Sequence, residues 1–328
     1  TIGSIERRSF FSFNPLLDIR DLRIAQPDWA GTGEMVRVER VTVRLPVLPI
    51  LTGRFAPEPV EAANGRLTLI RAKDGRKNWE RESERNSGGG SGLERLAVSN
   101  LILDYRDAKK DRRLAVRIDS DPRGFRASGT GALADEPVSI EVRGAPIAGR
   151  VRWPFRARLA GPRTRIAVQG AMAAPFDTRD MAFDIAAQGA DLLDVDRVIE
   201  AGLFGTQPVK LIGRVSRKGD TWQVERLSGT IGQSRLSSAT ASIDKSTPGR
   251  TRIDGDVALA TLRFDDLAND RGLAVAAARR ARIGDRLIPS TQIDLKSVSD
   301  VDGALRVRVG RIVGTPGFRA ARATLALD

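Results

Sequence analysis

The chain has no cysteine and no histidine in 328 residues. Disulfides, thiolate nucleophiles and Cys or His metal sites are thereby excluded. So are His-based triads and acid–base work by imidazole. Absence of cysteine fits a cytosolic and a periplasmic protein equally well. Aromatics are scarce at 5%, whereas glycine is frequent at 32 residues. That balance favours many turns and small packing units over one thick core. No run approaches the ~20 apolar residues of a membrane helix, and no signal peptide pattern is present. What is there is globular in class: 29% charged and 41% apolar residues. The net charge of +13 permits nucleic acid, anionic lipid or lipopolysaccharide as partner. The arginines are spread along strands and not gathered in runs, so the charge alone selects none of these.

Alternation of apolar and polar residues dominates. Leu17 and Ile19 alternate, then Leu22 and Ile24 alternate on the opposite parity. The same slip recurs between Val36, Val38 and Val41, Val43. An extra residue that flips parity is what a β-bulge does, so the spacing predicts a strongly twisted sheet. From Leu93 the strands become regular, at Leu101-Leu103-Tyr105, Leu114-Val116-Ile118, Phe125 to Leu133, Val138-Ile140-Val142, Val151-Trp153-Phe155, Ile166-Val168 and Met181-Phe183-Ile185. Asp-Pro, Gly-Ala-Pro, Gly-Pro and Pro-Phe-Asp turns separate them. The pattern predicts an antiparallel meander with one apolar and one charged face. One helix is expected near 191–202, capped by Asp191, with Leu192, Val195, Ile199 and Leu203 on one face. A shorter turn is expected at Phe264–Leu267. Residues 219–244 and 303–328 share glycine at the start and Arg235/Arg319, Ala239/Ala323, Thr240/Thr324 and Asp244/Asp328, a weak repeat of hairpin size.

The stretch from Leu45 to Glu82 carries more specific information. Val47, Leu48, Ile50 and Leu51 form an apolar knot between Pro46, Pro49 and Gly53. A strand follows at Gly65–Arg71, then an Asp74-Gly75 turn, then Asn78-Trp79. In this order the segment resembles the N-terminal signature of the AsmA family of bacterial envelope proteins, on Pro49, Gly53, Asp74, Gly75, Arg76, Asn78 and Trp79. The resemblance covers residues 1 to about 82 well and 185–328 moderately. It departs from the family at Gln26, where Asn precedes the Pro-x-Trp element.

Candidate chemistry is thin. Ser242-Ile243-Asp244-Lys245 matches Ser-x-x-Lys, but a strand places i and i+3 on opposite sides. The Gly88–Gly92 run is not followed by the Lys-Ser/Thr of a phosphate loop. Asp265-Asp266 and Asp191/Asp194/Asp196 lack calcium-loop spacing and read as helix caps. Trp79, Trp153 and Trp222 have the chemistry of base-stacking platforms, yet their positions beside turns fit core packing better. No catalysis and no cofactor are expected.

The expectation is therefore mainly β: a long, twisted antiparallel β-sheet curled into a groove, with one or two short helices. Residues 1–86 form an N-terminal unit, 87–92 a Gly/Ser loop, and 93–328 a repeating β-groove. About 16 to 18 strands at ~4.8 Å apiece make a sheet about 75–85 Å wide. One helix cannot cover its apolar face. The lining is expected from Leu67, Leu69, Leu101, Leu103, Leu114, Val116, Ile118, Val138, Ile140, Val142, Met181, Phe183, Ile185, Leu305, Val307 and Val309. An acyl tail suits such a lining, since each buried CH₂ contributes about 0.8 kcal/mol. The resemblance implies the rest: a periplasmic β-groove related to chorein-type bridge proteins, held to the bacterial inner membrane by an N-terminal anchor upstream of Thr1. It also implies phospholipid as partner, a contribution to outer-membrane biogenesis, and possible envelope protein partners. Nucleic acid is not expected. The alternative is a closed β-sandwich that scaffolds outer-membrane protein assembly without transporting lipid.

Overall fold

Apolar/polar alternation builds strands through most of the described residues. The computed structural model describes residues 1–7, 16–44, 58–80, 96–149, 151–199, 203–247, 250–284, 301–314 and 321–327. Among them lie 17 strands and two short helices, so the fold is mainly β as expected. Contacts divide the chain into two compact units, Thr1–Arg158 with Met172–Asp177, and Leu159–Ala171 with Thr178–Asp328.

The first unit contains β1 (Ser4–Arg7), β2 (Leu16–Ala25), β3 (Glu34–Arg44), β4 (Glu58–Arg71), β5 (Leu96–Asp107), β6 (Arg112–Asp121), β7 (Gly124–Leu133), β8 (Glu136–Gly144) and most of β9 (Trp153–Ala160). β1 pairs with β2, and β2 to β8 pair in chain order. The unit runs past the expected N-terminal stretch 1–86, because β5 pairs with β4 across the Gly/Ser segment. That segment, the apolar knot, Pro49 and Gly53 lie outside the described residues.

The second unit contains most of β10 (Thr164–Met172), then β11 (Asp180–Gly189), α1 (Leu192–Ile199), β12 (Val209–Lys218), β13 (Thr221–Ile231), β14 (Ser234–Asp244), β15 (Thr251–Leu262), α2 (Asp270–Ile283), β16 (Val301–Ile312) and β17 (Ala321–Leu327). β11 to β17 again pair in chain order. The two weak repeats are the hairpins β13–β14 and β16–β17, with β15 between them.

The antiparallel order has one exception in each unit. β4–β5 and β15–β16 are parallel. A parallel pair needs a connection long enough to return to the start of the strand, and 24 residues separate β4 from β5 and 38 separate β15 from β16. Alternation reveals which face a residue occupies but not the direction of its strand, so the meander reading missed both pairs.

The parity slips form one line across the first unit. Asp21, Asn64 and Asn100 have φ of 51°, 52° and 54°, the left-handed region that Asn and Asp tolerate best. Register skips from Arg20↔Arg40 to Leu22↔Val38, from Val38↔Gly65 to Arg40↔Ala63, and between Val98 and Leu101. The side chains bond along this crease. Asn64 Nδ2 donates to Glu39 Oε2 at 2.9 Å, Asn100 Nδ2 to Asn64 Oδ1 at 2.9 Å, and Asn100 N–H to Asp119 Oδ1 at 2.9 Å. Beyond the crease each strand turns its apolar residues back to the same side.

α1 forms where expected. Asp191 Oδ1 accepts from the N–H of Leu193 and of Thr206, both at 2.8 Å. Leu192 and Val195 pack with Ile166, Ala187 and Val209. The 3-10 turn Phe264–Leu267 also forms where expected. α2, immediately after it, is an addition. Asn269 caps it by accepting from Gly272 N–H at 3.0 Å, and Gly284 ends it with φ 74°.

Candidate functional site

Strand register carries the expected lining residues of the first unit into three transverse rows. One row is Val36, Leu67, Leu103, Val116, Gly129, Ile140. The next is Val38, Gly65, Leu101, Ile118, Ala127, Val142. The third is Leu69, Tyr105, Leu114, Gly131, Val138. Every row places small or apolar side chains on one face, while Arg106, Arg113, Arg117 and Glu141 point to the other and are exposed.

The second unit repeats the arrangement. Phe183, Val215, Val224, Ala241, Gly255 and Leu305 share a row. So do Ala187, Leu211, Gly229, Leu236, Leu259 and Val309. Ile185 pairs with Gly213, and Leu227, Ala239, Val257 and Val307 continue that level. Met181 lies in a more polar row, opposite Arg217, whose guanidinium stacks 4.9 Å from the Trp222 ring.

Burial separates these faces from an ordinary core. Among the sixteen expected lining residues only Val116, Val138 and Val309 are buried; the other thirteen are half-buried. Buried clusters occur at one end of the second unit, under α1 and around Leu262, Val309 and Ile312. The first unit has no α-helix among its described residues.

One end of that face is closed by polar locks. The Asp74-Gly75 turn returns the chain so that Asn78, nearly buried, lies beside β4. Its Oδ1 accepts from Ile70 N–H at 2.9 Å; its Nδ2 donates to Thr68 O at 2.8 Å and to Gln26 Oε1 at 2.7 Å. Arg76 sits 5.0 Å over the Trp29 ring, and Trp79 lies 6.2 Å from Tyr105. Arg76 N–H, then its guanidinium, bonds Asp74 and holds that carboxyl below its ordinary pKa. The signature residues therefore tie the 26–29 turn to the end of β4.

Asp107 completes this end and was not anticipated. It is 2% exposed. It accepts from Tyr105 hydroxyl at 3.0 Å, from Lys109 and Lys110 N–H at 3.0 Å each, and from Arg71 at 3.3 Å. Burial alone raises its pKa, but the Tyr105 hydroxyl, the Lys110 N–H and Arg71 outweigh that and hold it low. Burial and then the bond to Asp107 push the Tyr105 hydroxyl up.

The remaining candidates have structural partners. Trp153 is 2% exposed, donates to Ala145 O at 2.8 Å and packs against Phe125, Phe155 and Phe176. Ser242 lies on β14 and accepts from Gln223 at 2.9 Å. Asp266 accepts from Ser234 N–H and hydroxyl at 2.8 and 2.7 Å, tying the β13–β14 turn to the 3-10 turn. Asp194 pairs with Arg163 and Arg197, both at 2.8 Å. No group of three or more acidic ligands able to hold a metal ion occurs among the described residues. Comparison with family models, curated proteins and solved structures finds no match to this chain.

Proposed function

We propose that the apolar sheet faces bind the acyl chains of lipid, as the lining of a groove whose polar outside meets water. One observation carries this reading: rows of apolar and small side chains, most of them half-buried, run across β3 to β8 on one face. Hydrocarbon laid on such a row gains about 0.8 kcal/mol per CH₂ removed from water, and the face asks for no hydrogen bonds in return. The resemblance of Asp74–Trp79 to the AsmA signature supports the wider setting. In that setting the chain is a periplasmic, inner-membrane-anchored protein that moves phospholipid toward the outer membrane, and it is not an enzyme.

The test is lipid carried by the purified full chain, measured by native mass spectrometry and by extraction. Phospholipid is expected to co-purify. Leu103→Asp, Val116→Asp and Phe183→Asp are expected to reduce it, with circular dichroism showing the strands retained. Leu103 and Phe183 are half-buried whereas Val116 is buried, so the first two variants test loading with least damage to the fold. Unchanged loading in all three, or a lipid-free native chain, sinks the proposal and leaves the assembly scaffold.

A further inference from the structure

The opposite, polar face of the second unit has its own organisation, independent of the groove. Cations far apart in sequence are gathered there by register. Gln188, Lys210, Thr230, Arg235, Thr261 and Arg311 form one row across β11 to β16. The adjoining level holds Ala186, Ile212, Ser228, Ser238, Ala258 and Arg308. Neither level contains a carboxylate. Acidic residues return only one level further on, where Asp184 pairs with Arg214 at 3.3 Å. Lys210, Arg235, Arg308 and Arg311 are exposed, and no ion pair engages them among the described residues. Lys210, Arg235 and Arg311 stand on every second strand, about 10 Å apart.

Two further features lie on the same band. A concavity of about 480 Å³ at its β10 end is lined by Arg165, Gln188, Lys210 and Thr230. Arg163 also reaches it but is committed to Asp194 at 2.8 Å. Ile212 is 60% exposed beside Lys210, so the band offers one aliphatic side chain among its cations.

We propose that this band is a docking surface for an anionic phospholipid bilayer. The cations face lipid phosphates, a headgroup enters the concavity beside Arg165 and Lys210, and Ile212 dips into the interface. Nucleic acid fits less well, since neither level offers an aromatic ring on which a base stacks.

The experiment measures binding of the full chain to phosphatidylcholine vesicles with and without about one-third phosphatidylglycerol. Binding is expected only to the anionic vesicles and is expected to weaken with salt. Each cation at such a surface strengthens binding about fivefold, so Lys210→Gln/Arg235→Gln/Arg311→Gln together are expected to weaken it about 100-fold. The equal-charge control Arg106→Gln/Arg113→Gln/Arg117→Gln, on the polar face of the first unit, is expected to bind nearly as wild type. Ile212→Ser is expected to reduce binding at high salt. Equal loss in both triple variants, no preference for anionic vesicles, or tighter binding to duplex DNA lost in the first triple variant would overturn the proposal. None of these outcomes depends on lipid in the groove, because loading of the apolar face is read separately.

Discussion

At Asn78 a single side chain settles where three segments end. Its amide serves Ile70 N–H, Thr68 C=O and Gln26 at once. Asn78→Ala leaves these groups without a partner in a nearly dry place, which costs about 2–4 kcal/mol. Urea unfolding is expected to show that loss. Asp107 makes a different statement, about pH. Its folded pKa is held below the ordinary value, so the stability it contributes is present above the unfolded value of about 3.9 and is lost as pH falls through the folded one. The urea midpoint is expected to drop as pH falls below about 4, and Asp107→Asn is expected to flatten that part of the curve. Asn78 was legible from its place after Asp-Gly-Arg. Asp107 was not, because its partner Arg71 stands 36 residues away and only the parallel pairing of β4 with β5 brings them together.

Among elements, the strands show what alternation can and cannot reveal. Every expected lining residue falls on a strand, since period two survives the bulges on either side of each slip. The bulges in β2 and β3 were visible as parity flips. Those in β4 and β5 were masked by the alanines and serines around Asn64 and Asn100. α1 announced itself by apolar residues at i, i+3 and i+7 behind an Asp cap. α2 did not, because it seats little more than Gly272, Leu273 and Ala276 against its unit and exposes alanine and arginine elsewhere. The cationic band was illegible for another reason: its members are scattered in sequence, and only register aligns them. Within β7, Gly129 marks a close approach. A Cβ there would lie 2.0 Å from Ala115 O on β6. Gly129→Ala is expected to cost about 3 kcal/mol or more and to separate β6 from β7, seen as faster amide exchange in both strands.

For the molecule as a whole, ligand and stability are linked. Half-buried apolar rows leave the empty chain with aliphatic surface still in water. Anything that covers those rows in the native state alone stabilises it by mass action. A medium-chain fatty acid at 100 times its Kd is expected to add about 2.7 kcal/mol, read as a rise in Tm of the delipidated protein. Leu103→Asp is expected to lower that rise. A chain whose Tm ignores acyl ligands would be a closed scaffold.

The crease of left-handed residues sets a rule for change in chain length. A residue removed from β4 just after Asn64 would swing Leu67 and Leu69 to the charged side, while Leu103 and Tyr105 on β5 stayed where they are. Two residues removed together would restore the facing. Viable insertions and deletions in these strands are therefore confined to even steps, or to matched losses in neighbours across the same line.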